Sequence, residues 1–332
     1  MKKYDILDIT KLILSIMVVA IHTELFPMVL YPWLRLAVPL FFVISSFLLY
    51  SKINNSPKEE KNKIIKNYIQ RLLKLYLFWF ICLLPITIYI RREWFSDGLI
   101  IGITKVIIKP FVGSTFVASW YIVATILGTL IVDKLSSKLN YKILLPLFVF
   151  IYLICCGTSS YSFLLNNIAI PKALFDIYIE PHCSFLVSLI YILFGKMLSE
   201  NKFKIPNKNN LILIIIFSVL LYLEWYIVYR ITGTYNNDCY IFILPVSILI
   251  FNYLKEIKIK INNSKLLRQF SNMTYPLHAS TSRIVNTVLE MLITNSLIKG
   301  ILNFIITIII CIIAFIIIKK LEKKYKFLKY AY

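Results

Sequence analysis

The chain has 332 residues, 59% of them hydrophobic and only 16% charged, with a formal net charge of +21 from 37 Lys and Arg against 16 Asp and Glu. Soluble domains carry about 25% charged residues, so this composition excludes an ordinary cytosolic enzyme, a disordered chain and a disulfide-stapled secreted module. A nucleic-acid module would not be this apolar, and the long apolar runs between Lys/Arg clusters describe a polytopic membrane protein; the 6 Cys show no CxxC or Cys/His ligand spacing, so their spacing suggests neither a metal site nor a redox pair.

A helix crosses the hydrocarbon core with about 20 apolar residues at roughly 1.5 Å each. In chain order the suitable stretches are 6–27, 34–52, 72–91, 115–133, 142–158, 181–199, 209–229, 239–255, 271–293 and 299–319. The predicted fold is therefore all-α and integral to the membrane, a single domain over 1–332 with about ten transmembrane helices. The first stretch reads as an uncleaved span: Asp5, Asp8 and Lys11 interrupt its start and no small-residue cleavage site follows. Residues 93–114, whose apolar run is broken by Lys105 and Lys109, suit an interfacial or re-entrant helix on the outer face. Residues 159–180 read as an outer loop lying on the membrane. No internal repeat of the transporter kind is visible.

Basic residues set the orientation. Residues 1–3, the joins 52–74, 134–142, 196–208 and 255–268, and the tail from 319 hold 27 of the 37 Lys and Arg. The alternate joins hold eight, and Lys11 and Arg283 fall inside spans. This alternation predicts an even number of helices with both termini cytoplasmic.

Charge at bilayer depth is expensive, which makes each buried polar residue a functional candidate. The first span carries Asp8, Lys11, Ser15 and His22, at steps that fall on one helical face. Lys11 and His22 lie roughly 16 Å apart along the axis, one near each end. The alternative is a snorkelling lysine and a packing histidine. Glu224 sits near the outer end of its span, where a carboxylate can also simply meet headgroup water. Arg283 lies in the span 271–293, able to pair with Glu290 or to line a wet cavity, and His278 precedes it. Glu180 and His182 stand at an outer mouth, and Cys183 and Cys239 at outer ends, where an oxidising environment would let them pair. These residues alone fit a transporter, a flippase or a membrane transferase.

Several motifs go further. Asp8-x-x-Lys11-x10-His22 is similar to an Asp-x-x-Arg-x10-His pattern of the bacterial membrane acyltransferase family called acyltransferase-three. VPLFFVISSFLL at 38–49 resembles that family's VPLFFVISGFLL, with Ser46 in place of Gly. Arg71-Leu-Leu-Lys74 resembles its Arg-x-x-Arg, SWYIVATILGTL at 119–130 its aromatic-rich fourth helix, and YILFGKML at 191–198 a helix ending in Phe-Gly. SNMTYPLH at 271–278 has its Ser-x3-Tyr-x-x-His spacing, ending in Tyr275 and His278. The departures are Lys for Arg at 11 and 74, which keep the charge but lose the bidentate fork.

The resemblance implies a multi-pass enzyme of the plasma membrane that moves an acyl group, acetyl by preference, from cytoplasmic acyl-CoA to a hydroxyl of an envelope polysaccharide or lipid-linked sugar. Acyl-CoA would be a co-substrate, with no permanently bound cofactor and no nucleic-acid partner. On this reading Arg71, Lys74 and Lys11 hold the donor, and His22, with Lys11, serves catalysis as proton acceptor or acyl carrier. Asp8, Ser15, Tyr275, His278, Arg283 and Glu224 are supporting candidates, and an outer acid (Asp176, Glu180, Glu224 or Asp238) is expected to orient His22. Membrane domains of this type also occur in proteins thought to move amino acids, which sustains the transporter alternative.

Overall fold

The computed structural model describes residues 4–25, 28–112, 119–165, 180–203 and 206–332. Every regular element among them is helical, as expected where the backbone must satisfy its own hydrogen bonds in hydrocarbon. In order these are α1 (Asp5–His22), α2 (Ala37–Asn54), α3 (Lys61–Cys82), α4 (Leu84–Arg91), α5 (Leu99–Val112), α6 (Trp120–Ser136), α7 (Tyr141–Gly157), α8 (Phe185–Ser199), α9 (Asn207–Thr232), α10 (Ile243–Leu254), α11 (Ser264–Glu290) and α12 (Ser296–Leu321). Single helical turns lie at Tyr31–Leu34 and Ser162–Leu165.

Among the described residues three helices are long and apolar enough to cross a membrane, Met28–Asn54, Asn209–Thr232 and Ser296–Leu321. In α9 and α12 large apolar side chains such as Ile215, Val219, Ile313 and Ile316 remain exposed, a surface that lipid accepts and water does not. The other apolar helices are shorter, as in α7, α8 and α10, or, like α1 and α11, carry polar residues inside the bundle.

One expected span differs. Residues 72–91 form no continuous helix: the chain bends by 73° between Lys58–Cys82 and Leu84–Phe95. Pro85, in the first turn of α4, explains the break, because its missing N–H and its ring prevent α3 from running on. The interfacial stretch 93–114 contains α5. Most of the outer loop 159–180, Asp176 included, lies outside the described residues.

Two helix pairings position the site. α2 packs along α8, and Gly195 permits the close approach: a Cβ there would stand 1.9 Å from Ser46 Oγ and 2.7 Å from the Val43 carbonyl oxygen. α1 packs along α11, which in turn packs on α12. Polar contacts fix the α1–α11 register. The Asp5 carboxylate accepts from the Ile261 N–H at 3.1 Å and the Ser264 hydroxyl at 3.0 Å. Asp8 lies 3.6 Å from Arg268, and the Ser271 hydroxyl donates to the Lys11 carbonyl at 2.8 Å. α11 is thus a Ser/Thr-rich helix whose polar face is buried against α1, with small residues and side-chain hydrogen bonds at the contact.

Candidate active site

The end of the α1–α11 seam near Lys11, named inner after the orientation that the basic residues predict, opens on a small cavity of about 50 Å³ walled by Lys11, Arg71, Tyr68, Tyr121, Asn272 and Tyr275. Lys11 is buried, and Arg71 brings a second cation to the same space from α3. The Arg71 guanidinium lies 5.6 Å from the centre of the Tyr68 ring. Pro276 interrupts α11 here; having no N–H, it leaves the Asn272 carbonyl without its helical donor beside the cavity. The two cations offer an anion a grip, the tyrosine rings offer a flat group a surface, and the freed carbonyl offers an acceptor to a donor hydrogen.

The outer end holds a larger cavity of about 410 Å³, lined by His22, Ser282, Arg283, Asn286, Glu290 and Lys299 among others. His22, in the last turn of α1, is exposed to this space. The fully buried His278 stands behind it, with ring centroids 5.0 Å apart and planes inclined at 52°. His278 Nδ1 lies 3.1 Å from the Thr274 carbonyl oxygen. A carbonyl can only accept, so Nδ1 carries the hydrogen and Nε2 presents a lone pair. Among the described residues that Nε2 has no hydrogen-bond partner. Tyr275 joins the two ends: it lines the inner cavity, and its ring stands 5.9 Å from His278 and 5.0 Å from Tyr121.

The structure brings together Lys11, Arg71, Tyr275, His278, His22 and Arg283 along this seam. Other sequence candidates fall elsewhere. Lys74 is one turn from Arg71 but turns away, its ammonium 5.0 Å from the Tyr330 ring centre. Ser15 is buried and donates to its own helix, to the Leu12 carbonyl at 2.7 Å. Asp8 meets Arg268, 3.6 Å away. Glu224 accepts from the Phe242 N–H at 2.9 Å, the Ile241 N–H and the Tyr161 hydroxyl at 2.6 Å. It therefore caps the start of α10, where free N–H groups draw a carboxylate, and is not a partner of His22.

Asp238 is engaged by Arg35 and lies 3.7 Å from His182. Glu180, His182 and Cys183 bring ligand atoms within 4.8 Å of one another. However, Lys109 stands 3.3 Å from Glu180, so this cluster already has cations around it. The Cys239 thiol faces Cys156 at 3.3 Å rather than Cys183. Sequence reasoning missed Thr274, whose signal was the Ser/Thr density of α11, and held Ser271 only as the first residue of a motif.

The family model described as an acyltransferase domain matches residues 4–320. Among curated proteins, an amino-acid racemase of Enterococcus faecalis is 21% identical over 339 residues, covering 96% of this chain and 46% of its own length. A second amino-acid racemase of that organism is 21% identical, with 97% and 46% covered. A serine/alanine racemase of Enterococcus gallinarum is 26% identical over 163 residues, with 47% and 23% covered. The chain spans less than half the length of these curated relatives. No solved structure matches. The family match runs over nearly the whole chain, through the motifs at 8–22, 38–49, 71–74, 119–130 and 271–278, and with its apolar helices the chain is a membrane protein that belongs to the acyltransferase domain family.

Proposed function

We propose that this chain is a multi-pass acyltransferase of the plasma membrane, with both termini in the cytoplasm. It transfers an acyl group, acetyl by preference, from cytoplasmic acyl-CoA to a hydroxyl of an envelope glycan or lipid-linked sugar. The carrying observation is the pairing of a cationic cavity at one end of the α1–α11 seam with a histidine pair in a wide cavity at the other.

In this reading the CoA phosphates rest on Arg71 and Lys11, and the pantetheine arm runs along α1 past Tyr121 and Tyr275. A turn of the His22 ring would let one of its nitrogens donate its hydrogen to the Nε2 of His278, which leaves the other unprotonated towards the cavity. That nitrogen takes the proton of the acceptor hydroxyl as the oxygen attacks the thioester carbonyl. The carbon–sulfur bond breaks, and the departing thiolate takes up the proton held by the imidazolium. His278 thus fills the orienting place that a carboxylate takes in other dyads. The purified protein should hydrolyse or exchange acetyl-CoA, and mass spectrometry should find glycan acetylation in cells that carry the gene and not in cells without it. Absence of both defeats the proposal.

A second reading is transport of a small or lipid-linked solute through the same seam. It is favoured by the match to part of proteins named amino-acid racemases, a name that points to a small solute. Solute flux without any acetyl-CoA turnover would select it.

A further inference from the structure

We infer that the outer cavity selects an acceptor bearing an anionic group, a carboxylate or a phosphate, held on Arg283 while its hydroxyl faces His22. The inference rests on the reading of this cavity as the acceptor site.

The charges lining the cavity are unequally committed. Glu290 accepts from the Asn286 side-chain amide at 2.8 Å and lies 3.5 Å from the Lys299 ammonium. The acid that the sequence offered to Arg283 is therefore taken by other residues. Among the described residues the Arg283 guanidinium has no carboxylate within ion-pair distance and no hydrogen-bond acceptor; only its backbone carbonyl is used, by Thr287 at 3.0 Å. Arg283 is exposed to the cavity, so its charge is available to a ligand there. Its planar fork matches the two oxygens of a carboxylate or phosphate.

Position supports the same ligand. Arg283 lies five residues beyond His278 on α11, about 7.5 Å further along the axis. Arg283 and His22 line the same cavity, so the anionic group and the hydroxyl of one ligand can face them together. Ser282 lies between as a further hydrogen-bonding group on the wall. The other uncommitted charge is Glu24, in a left-handed turn after α1 with φ 52°. It lines the same cavity, but among the described residues it forms no ion pair with Arg283.

A phosphate would come from a lipid-linked glycosyl phosphate and a carboxylate from a sugar acid, so the probes are glucose 1-phosphate, glucuronate and glucose. Binding to the purified full chain in detergent is measured by calorimetry, with helicity and melting temperature as the check on folding. At least one anionic sugar should bind more tightly than glucose, and the better of the two names the source. Arg283→Gln should remove that preference, a loss on the order of tenfold to hundredfold, and Arg283→Lys should retain part of it. Equal binding of all three sugars, or a preference that survives Arg283→Gln, overturns the inference. So does an equal loss in Glu24→Gln, which would mark a zwitterionic ligand instead. Acyl transfer is read separately with acetyl-CoA: anion preference without transfer removes only the acyltransferase reading, and transfer to a glycan without preference removes only this inference.

Discussion

The imidazole of His278 stands behind that of His22 at a centroid separation of 5.0 Å, and its proton position is fixed by a backbone carbonyl one turn earlier on α11. The exposed ring is thereby divided from the buried one in role: His22 meets the cavity, and His278 meets only protein. A base of this kind contributes about 10²–10⁴-fold in rate. His22→Gln keeps volume and hydrogen bonding but cannot take up a proton, so it should abolish glycan acetylation as completely as His22→Ala at matched membrane abundance. Activity in the Gln variant would reduce His22 to a hydrogen-bonding residue.

His278 acts through His22 and should show it kinetically. His278→Gln, whose amide can still accept a hydrogen bond, should retain more activity than His278→Leu. Acyl-CoA KM should move little in either while kcat falls. A parallel rise in KM would instead indicate that the inner cavity had collapsed.

Donor binding divides Arg71 from Lys74. Arg71→Ala should weaken CoA binding, measured by calorimetry in detergent, on the order of tenfold or more through loss of a charge-assisted contact. Lys74→Ala, which frees a cation seated on Tyr330, should cost much less. Equal losses would place both cations on the donor.

Orientation is checked by labelling. In a variant with few cysteines, Lys63→Cys should resist an impermeant thiol reagent in intact cells. Met291→Cys, at 81% exposure after α11, should react. The reverse pattern would invert the membrane orientation and place the donor cavity outside.

The α1 stripe was readable because helical spacing sets it, and the late Ser-x3-Tyr-x-x-His spacing was readable for the same reason. The pairing of His22 with His278 was not, since it depends on the tertiary register that Asp5, Ser264 and Ser271 impose on α1 and α11. Spacing likewise placed Arg71 and Lys74 one turn apart, but the chain after α12 drew Lys74 away with Tyr330. Glu224 looked functional because a carboxylate at bilayer depth usually is; the backbone N–H groups that occupy it are invisible to side-chain patterns. The bend at Pro85 was signalled by the proline itself, within an apolar run that otherwise read as one span.

The α2–α8 crossing should tolerate change on one side only. Ser46 already spends its hydroxyl on the Phe42 and Val43 carbonyls of its own helix, so Ser46→Gly should be mild. Gly195→Ala drives a methyl group into backbone and should cost about 1–3 kcal/mol, visible as a lower melting temperature. Ser46→Gly should rescue it incompletely, because the Val43 carbonyl remains in the way.

That same crossing decides where the protein can yield. Two helices locked backbone to backbone behave as a stationary frame, and sliding one along the other would drive Gly195 into larger neighbours. The seam beside it is held by polar side chains and carries a proline where α11 lacks one rung of its ladder. Opening a route between the inner and outer cavities therefore falls to α11 flexing about Pro276, with Tyr275 as the moving gate and the α2–α8 frame as its fixed post.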